Sequence, residues 1–178
     1  MHRSLARSVA GDLRHPTLPH LPILRRGGVW SQKPKLLSFS TPTQMPLTFH
    51  EAQQVISGAH QLAASRGWRV TVAIVDEGGF LTALGRMDGA FPLSSQIAEA
   101  KAVGASLWHR DGDGLRSLET DRPAFFAAVS ELARLPLMPA QGSLVIRRGD
   151  QVLGAVGVSG ATSEEDRECA EAGLALLT

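Results

Sequence analysis

Tyrosine is absent from this chain, and aromatic residues together make up 5% of it. Platforms on which bases stack are built from such rings, so nucleic-acid binding by stacking is excluded as a main device. No excess of positive charge replaces them: 18 Lys and Arg stand against 17 Asp and Glu. The balance hides a split, because residues 1–44 hold seven basic groups and the single acid Asp12, whereas residues 45–178 hold eleven basic and sixteen acidic groups. An acidic body without a basic stripe argues against nucleic acid as a partner, since phosphate binding comes from clustered Lys and Arg. The lone cysteine, Cys169, permits no internal disulfide and suits a reducing, cytoplasmic compartment. Its neighbours Glu168 and Glu171 raise a thiol pKa rather than lower it, which marks Cys169 as a small core residue and not a nucleophile. No run approaches the roughly 18 consecutive apolar residues of a membrane span.

With 178 residues the chain suits one domain plus a tail. Prolines at 16, 19, 22, 34 and 42 break every helix in residues 1–44, so this Arg- and Ser-rich stretch is expected to be disordered. It reads as a transit peptide addressed to an organelle matrix, as an upstream extension ahead of a start at Met45, or as a solvated tail. Residues 45–178 form the domain.

Thr48 and Glu51 make a capping box, T-x-x-E, in which hydroxyl and carboxylate each satisfy an orphan backbone donor. Ala52, Val55, Ile56, Ala59 and Ala63 follow at helical spacing, and Gly67 ends the helix. The β-branched "RVTVAIVD" (69–76), the turn "EGG" and "FLTALGRM" (80–87) predict a hairpin. Ser94 then caps a second helix that "RDGDG" (110–114) stops. A short helix follows Asp121, with Pro123 in its first turn and Phe125, Phe126, Val129 and Leu132 facing inward. "SLVIRR", "GD" and "QVLGAVGVS" (143–159) make a second hairpin, and Ser163 caps a terminal helix whose first turn carries Glu164, Glu165 and Asp166. The order is α-β-β-α-α-β-β-α. Hairpins force antiparallel pairing, so the expected class is α+β, an antiparallel sheet of about five strands with helices packed on it.

Three glycines, Gly154, Gly157 and Gly160, run into the acids of "VLGAVGVSGATSEED" (152–166). Each costs roughly 0.5–1 kcal/mol relative to alanine inside a strand, which asks for a compensating reason. Neither phosphate-loop pattern is present, and the acids of the following helix would repel a phosphate. Spacing by three places Gly154 and Gly157 on opposite faces of the strand. The reading is close approach: a helix backbone, or another subunit, packs on the sheet without intervening side chains.

The stretches "TVAIVDEGGFLTALGRMDGA", "IAEAKAVGA" and "VLGAVGVSGATSEEDRECAEAGL", in this order, resemble the GlcG/HbpS family, also known as the haem-degrading or DUF336 family, which includes the C-terminal domain of PduO-type proteins. The resemblance implies a sheet with flanking helices, a homo-oligomer, and members tied to haem or iron binding, to glycolate-utilisation operons and to cobalamin-related metabolism. Two departures stand out. "PAQGSLVI" (139–146) has Gln141-Gly142 where the family usually has a glycine pair, and Leu144 where proline is common. The Gly-rich loop that many relatives show before "RLPLM" is missing as well.

Haem needs an axial donor and an apolar rim. His60, at the edge of the apolar stripe of the first helix, is the best-placed imidazole for it; the other reading is a boundary histidine without a ligand. His50 lies on the solvent side, and the helix dipole alone explains His109 beside Arg110. Lys101 interrupts an otherwise apolar stripe, so it either snorkels to the rim or reaches a carboxylate across a pocket or interface, with Asp76 or Asp88 as candidate partners. That makes Lys101 the candidate catalytic lysine, against a structural ion pair. Glu165, Glu168 and Glu171 share a helix face and can hold a hard cation such as iron, or form a solvated acidic face. Two functions remain. One is an oligomeric haem or tetrapyrrole binder, with slow haem degradation. The other is a small-molecule enzyme or accessory protein of carbon catabolism with a Lys/Asp site at a subunit interface.

Overall fold

The structure, a computed structural model, describes residues 45–177; the expectations for residues 1–44 lie outside it. Helix α1 (Phe49–Arg66) starts at the Thr48/Glu51 capping box and ends on Gly67, whose φ of 76° is the left-handed region that glycine favours. Strands β1 (Thr71–Asp76) and β2 (Leu81–Arg86) form the first hairpin. Its turn is fixed by Asp76, whose Oδ1 accepts from the backbone N–H groups of Gly78 and Phe80 at 2.9 Å each. Helices α2 (Ser94–Trp108), α3 (Gly112–Asp121) and α4 (Pro123–Leu132) follow, then β3 (Ser143–Arg148), β4 (Gln151–Ser159) and α5 (Ser163–Leu174). The sheet order is β2-β1-β4-β3, and every pairing is antiparallel.

The fold is α+β as expected, with four strands among the described residues rather than about five. Two hairpins supply two strands each. The remaining extended stretch, between α4 and β3, carries Pro136 and Pro139, which have no N–H to give a ladder, and it runs along α2 instead, with Met138 N donating to the Ala100 carbonyl at 2.9 Å. Helix α3 was not expected at all, because Gly112 and Gly114 read as breakers. Gly112 has a tertiary reason: a Cβ there would sit 1.8 Å from the Ala140 carbonyl oxygen.

Strand alternation divides the interior. Val72, Ile74, Val156 and Val158 pack with Ala52, Val55, Ala59, Cys169 and Ala170 beneath α1 and α5, while Val75 and Ala155 meet Ala102, Val103 and Ala105 of α2 on the other face. Gly157 belongs to the α2 face. A Cβ there would lie 2.1 Å from the Ala98 oxygen and 2.7 Å from the Ala102 nitrogen, so the helix backbone rests directly on the sheet. Helix α4 departs from expectation. Phe126 is 5% exposed and stacks on Trp108, but Phe125 and Leu132 are 41% and 79% exposed. A helix that is apolar nearly all round gives no periodicity from which to choose its inner face.

Candidate functional site

His60 lies over β2, with its Nε2 3.1 Å from the Gly85 carbonyl oxygen. An oxygen of that kind only accepts, so Nε2 carries the proton and the imidazole is a donor there. Burial holds its pKa below the usual histidine value, and the bond to Gly85 partly offsets that. Gly85 allows the arrangement, since a Cβ at that position would stand 2.7 Å from Ile56 Cγ2 and 2.9 Å from His60 Cε1. Beside it, Phe49, Gln53, Ile56 and Leu84 line a shallow hollow of about 240 Å³.

Lys101 finds its partner neither in Asp76 nor in Asp88. Its Nζ donates to Asp166 Oδ2 and to the Val158 carbonyl, both at 2.8 Å, and the residue is 5% exposed. Asp166, in the first turn of α5, is 2% exposed, and its Oδ1 accepts from Ala161 N at 3.1 Å. Burial pushes the Asp166 carboxyl above the usual aspartate range, against the pull of the Lys101 ammonium. Gly142 leaves room for the pair: a Cβ there would meet Asp166 Cβ at 2.6 Å and Lys101 Nζ at 3.2 Å. The pair thus joins helices on opposite faces of the sheet at the end of β4.

Of the acidic face, Glu165 serves in the capping box of α5, and the N-cap is Thr162, one residue earlier than the expected Ser163. Glu171 accepts from Arg167 Nε at 2.8 Å, and Glu168 is exposed. Among the described residues no three His, Cys, Asp or Glu side chains come together in a way that could hold a metal ion. Cys169 is buried, and its thiol is pushed up to about 12 by desolvation, with Asp166 and Glu168 adding to the effect.

A groove that the sequence did not announce lies on the outer side of α2. Leu93, Ile97, Ala100 and Val103 form one wall, and Leu135 and Met138 the other, around about 480 Å³. Gln96 and Glu99 supply its polar edge. The second wall is fixed to the first by the Met138–Ala100 hydrogen bond, and Gly104 lets them close, since a Cβ there would be 3.1 Å from the Met138 oxygen. Concave, mostly apolar spaces of roughly 300–1,000 Å³ with a few polar groups are the usual form of a small-molecule site. The spacing of Leu93, Ile97 and Ala100 was visible as a helical stripe, but its exposure depends on a segment some 35 residues away that stops short of covering it.

Known proteins share this architecture. Residues 47–175 match the family described as "Haem degrading protein HbpS-like". Protein GlcG of Escherichia coli is 34% identical over 119 residues, which cover 66% of this chain and 84% of GlcG. The crystal structure of a double mutant of Streptomyces reticuli HbpS superposes with a TM-score of 0.69 at 26% identity, covering 89% of this chain and 98% of that one. That of a PduOC:heme complex gives 0.66 at 26% identity, over 74% and 95% of the two chains. In sequence and in fold, this chain belongs to the HbpS-like family.

Proposed function

We propose that this chain is a homo-oligomeric protein that binds haem or a related tetrapyrrole, and that the ring lies in the groove between α2 and residues 135–138. The groove is the observation that carries this reading. It is apolar, of the right order of volume, and walled by a helix and a proline-stiffened segment, which suits a flat, largely apolar ligand. The likeness to a structure solved as a heme complex supports it. The haem would supply the iron chemistry; the chain's part is to hold the ring and limit water at its face. The family description adds haem degradation, so slow loss of the Soret band under peroxide belongs to the proposal.

Association of subunits is supported by the outer surface of α2 and α4, where Leu107, Phe125 and Leu132 are 40%, 41% and 79% exposed. Apolar surface of this kind marks an interaction site on a soluble protein. The alternative, a carbon-catabolism enzyme working through Lys101, has less support, because the ammonium already meets two protein oxygens in a nearly closed site. Haem titration followed at the Soret band tests the binding reading. Wild type should saturate, and Ala100→Trp, which fills the groove, should not; equal saturation by the two would refute the groove as the seat. Light scattering tests the oligomer, with Leu132→Lys expected to lower the mass.

A further inference from the structure

If the ring lies in this groove, a donor on the groove wall would hold its iron, and among the described residues few are on hand. The common axial ligands of haem in proteins are His, Cys, Met and Tyr. The chain has no Tyr, and its one Cys is buried among Asp166 and Glu168 with a thiol pKa of about 12. His50 and His60 stand on α1, against the other face of the sheet, and His60 Nε2 is engaged by Gly85. His109 is the left-handed cap of α2, beyond the groove, with its carbonyl bonded by Arg147. Among the residues that line the groove, Met138 alone offers one of these donors, and it is 37% exposed.

We infer that Met138 is the axial ligand of the bound haem. The inference rests on the tetrapyrrole reading and adds to it the identity of the coordinating residue. Methionine is a flexible side chain, so placement has to come from the backbone. Here Met138 N is tied to the Ala100 carbonyl at 2.9 Å, its carbonyl lies against Gly104, and Pro136 and Pro139 fix the chain on either side. The side chain therefore starts from a fixed point on the groove wall. A thioether ligand also has a consequence that imidazole lacks: it raises the reduction potential of the iron.

The test compares haem with metal-free protoporphyrin on the full chain, for wild type, Met138→Leu, Met138→His and His60→Ala. Leucine is close to methionine in volume, so the groove should survive the change. Met138→Leu should weaken haem binding by about tenfold or more and shift the Soret maximum, yet leave metal-free porphyrin affinity within about twofold. Met138→His should restore haem binding at a lower reduction potential, and His60→Ala should behave as wild type. An unchanged spectrum and affinity in Met138→Leu, or loss of haem in His60→Ala alone, would overturn the assignment while leaving the groove reading standing. Failure of wild type to bind either porphyrin would remove that reading and the assignment together.

Discussion

Replacing Lys101 by Met removes the ammonium but keeps the stem, leaving the Asp166 carboxylate 2% exposed with Ala161 N as its remaining partner. Removing one member of a buried ion pair costs about 3–5 kcal/mol, because the other charge is stranded away from water. For a domain of this size that corresponds to a fall in melting temperature of roughly 10–20 °C. Asp166→Asn strands the lysine instead and should cost a comparable amount. The double variant buries no charge, so it should be more stable than either single one, and the cycle should yield a coupling of about 2 kcal/mol or more. The sign with pH is fixed too. Burial already raises the Asp166 pKa, and loss of Lys101 raises it further. The folded state of Lys101→Met then binds a proton that the unfolded chain releases until about pH 4. Its deficit should therefore shrink as pH falls from 7 towards 4. Denaturant melts of the four proteins at both pH values decide the matter. A single variant within about 1 kcal/mol of wild type would show that the pair contributes little to holding α2 and α5.

Gly157→Val should cost more than the about 1–3 kcal/mol of ordinary overpacking, since its Cβ would sit 2.1 Å from a helix carbonyl; insoluble protein or a lowered melting point is expected. Gly114→Ala is the control: its nearest neighbours are 3.9 Å away on Arg110, inside a helix, so stability should hold or rise in the same melts. Thr162→Ala removes the cap of α5 and should lose about 1 kcal/mol, while Ser163→Ala should lose less. Native Cys169 should resist a thiol reagent at pH 8 and react once the chain is unfolded.

What the sequence made legible was whatever is decided locally. Thr48, Glu51 and Gly67 lie within α1 and its two ends, and they defined that helix to the cap. The end of α5 was ambiguous by one residue, because Thr162 precedes Glu165 by three and Ser163 precedes Asp166 by three. The structure resolves it through a distant group: Lys101 and Ala161 hold the Asp166 carboxylate, which leaves Thr162 and Glu165 to make the box. Helix α3 was hidden for the same kind of reason, since Gly112 answers to the Ala140 carbonyl and not to its own turn. Of the site, the sequence exposed Lys101 as anomalous on its stripe, but not Asp166 as its partner 65 residues on. The groove needed both α2 and a segment that looked like linker.

These differences bear on where function sits. Polar side chains at the helix–sheet contacts face inward as fasteners: Lys101 to the Val158 carbonyl at 2.8 Å, Ser94 to Thr71 at 2.6 Å, and Ser106 to the Asp76 carbonyl at 2.7 Å. Each holds α2 to the sheet, on which Gly157 lets the helix backbone rest. The outward side of α2 and its N-cap carries Leu93, Ile97, Ala100 and Leu107 beside Gln96 and Glu99, and is more apolar than the charged face that an ordinary surface helix keeps in water. A helix fastened from within by polar bonds does not need an apolar outer face for its own stability. That face is explained by what it contacts, and the two proposed uses, a ring against Ile97 and Ala100 and a second subunit against Leu107 with Leu132 of α4 beside it, call on different residues.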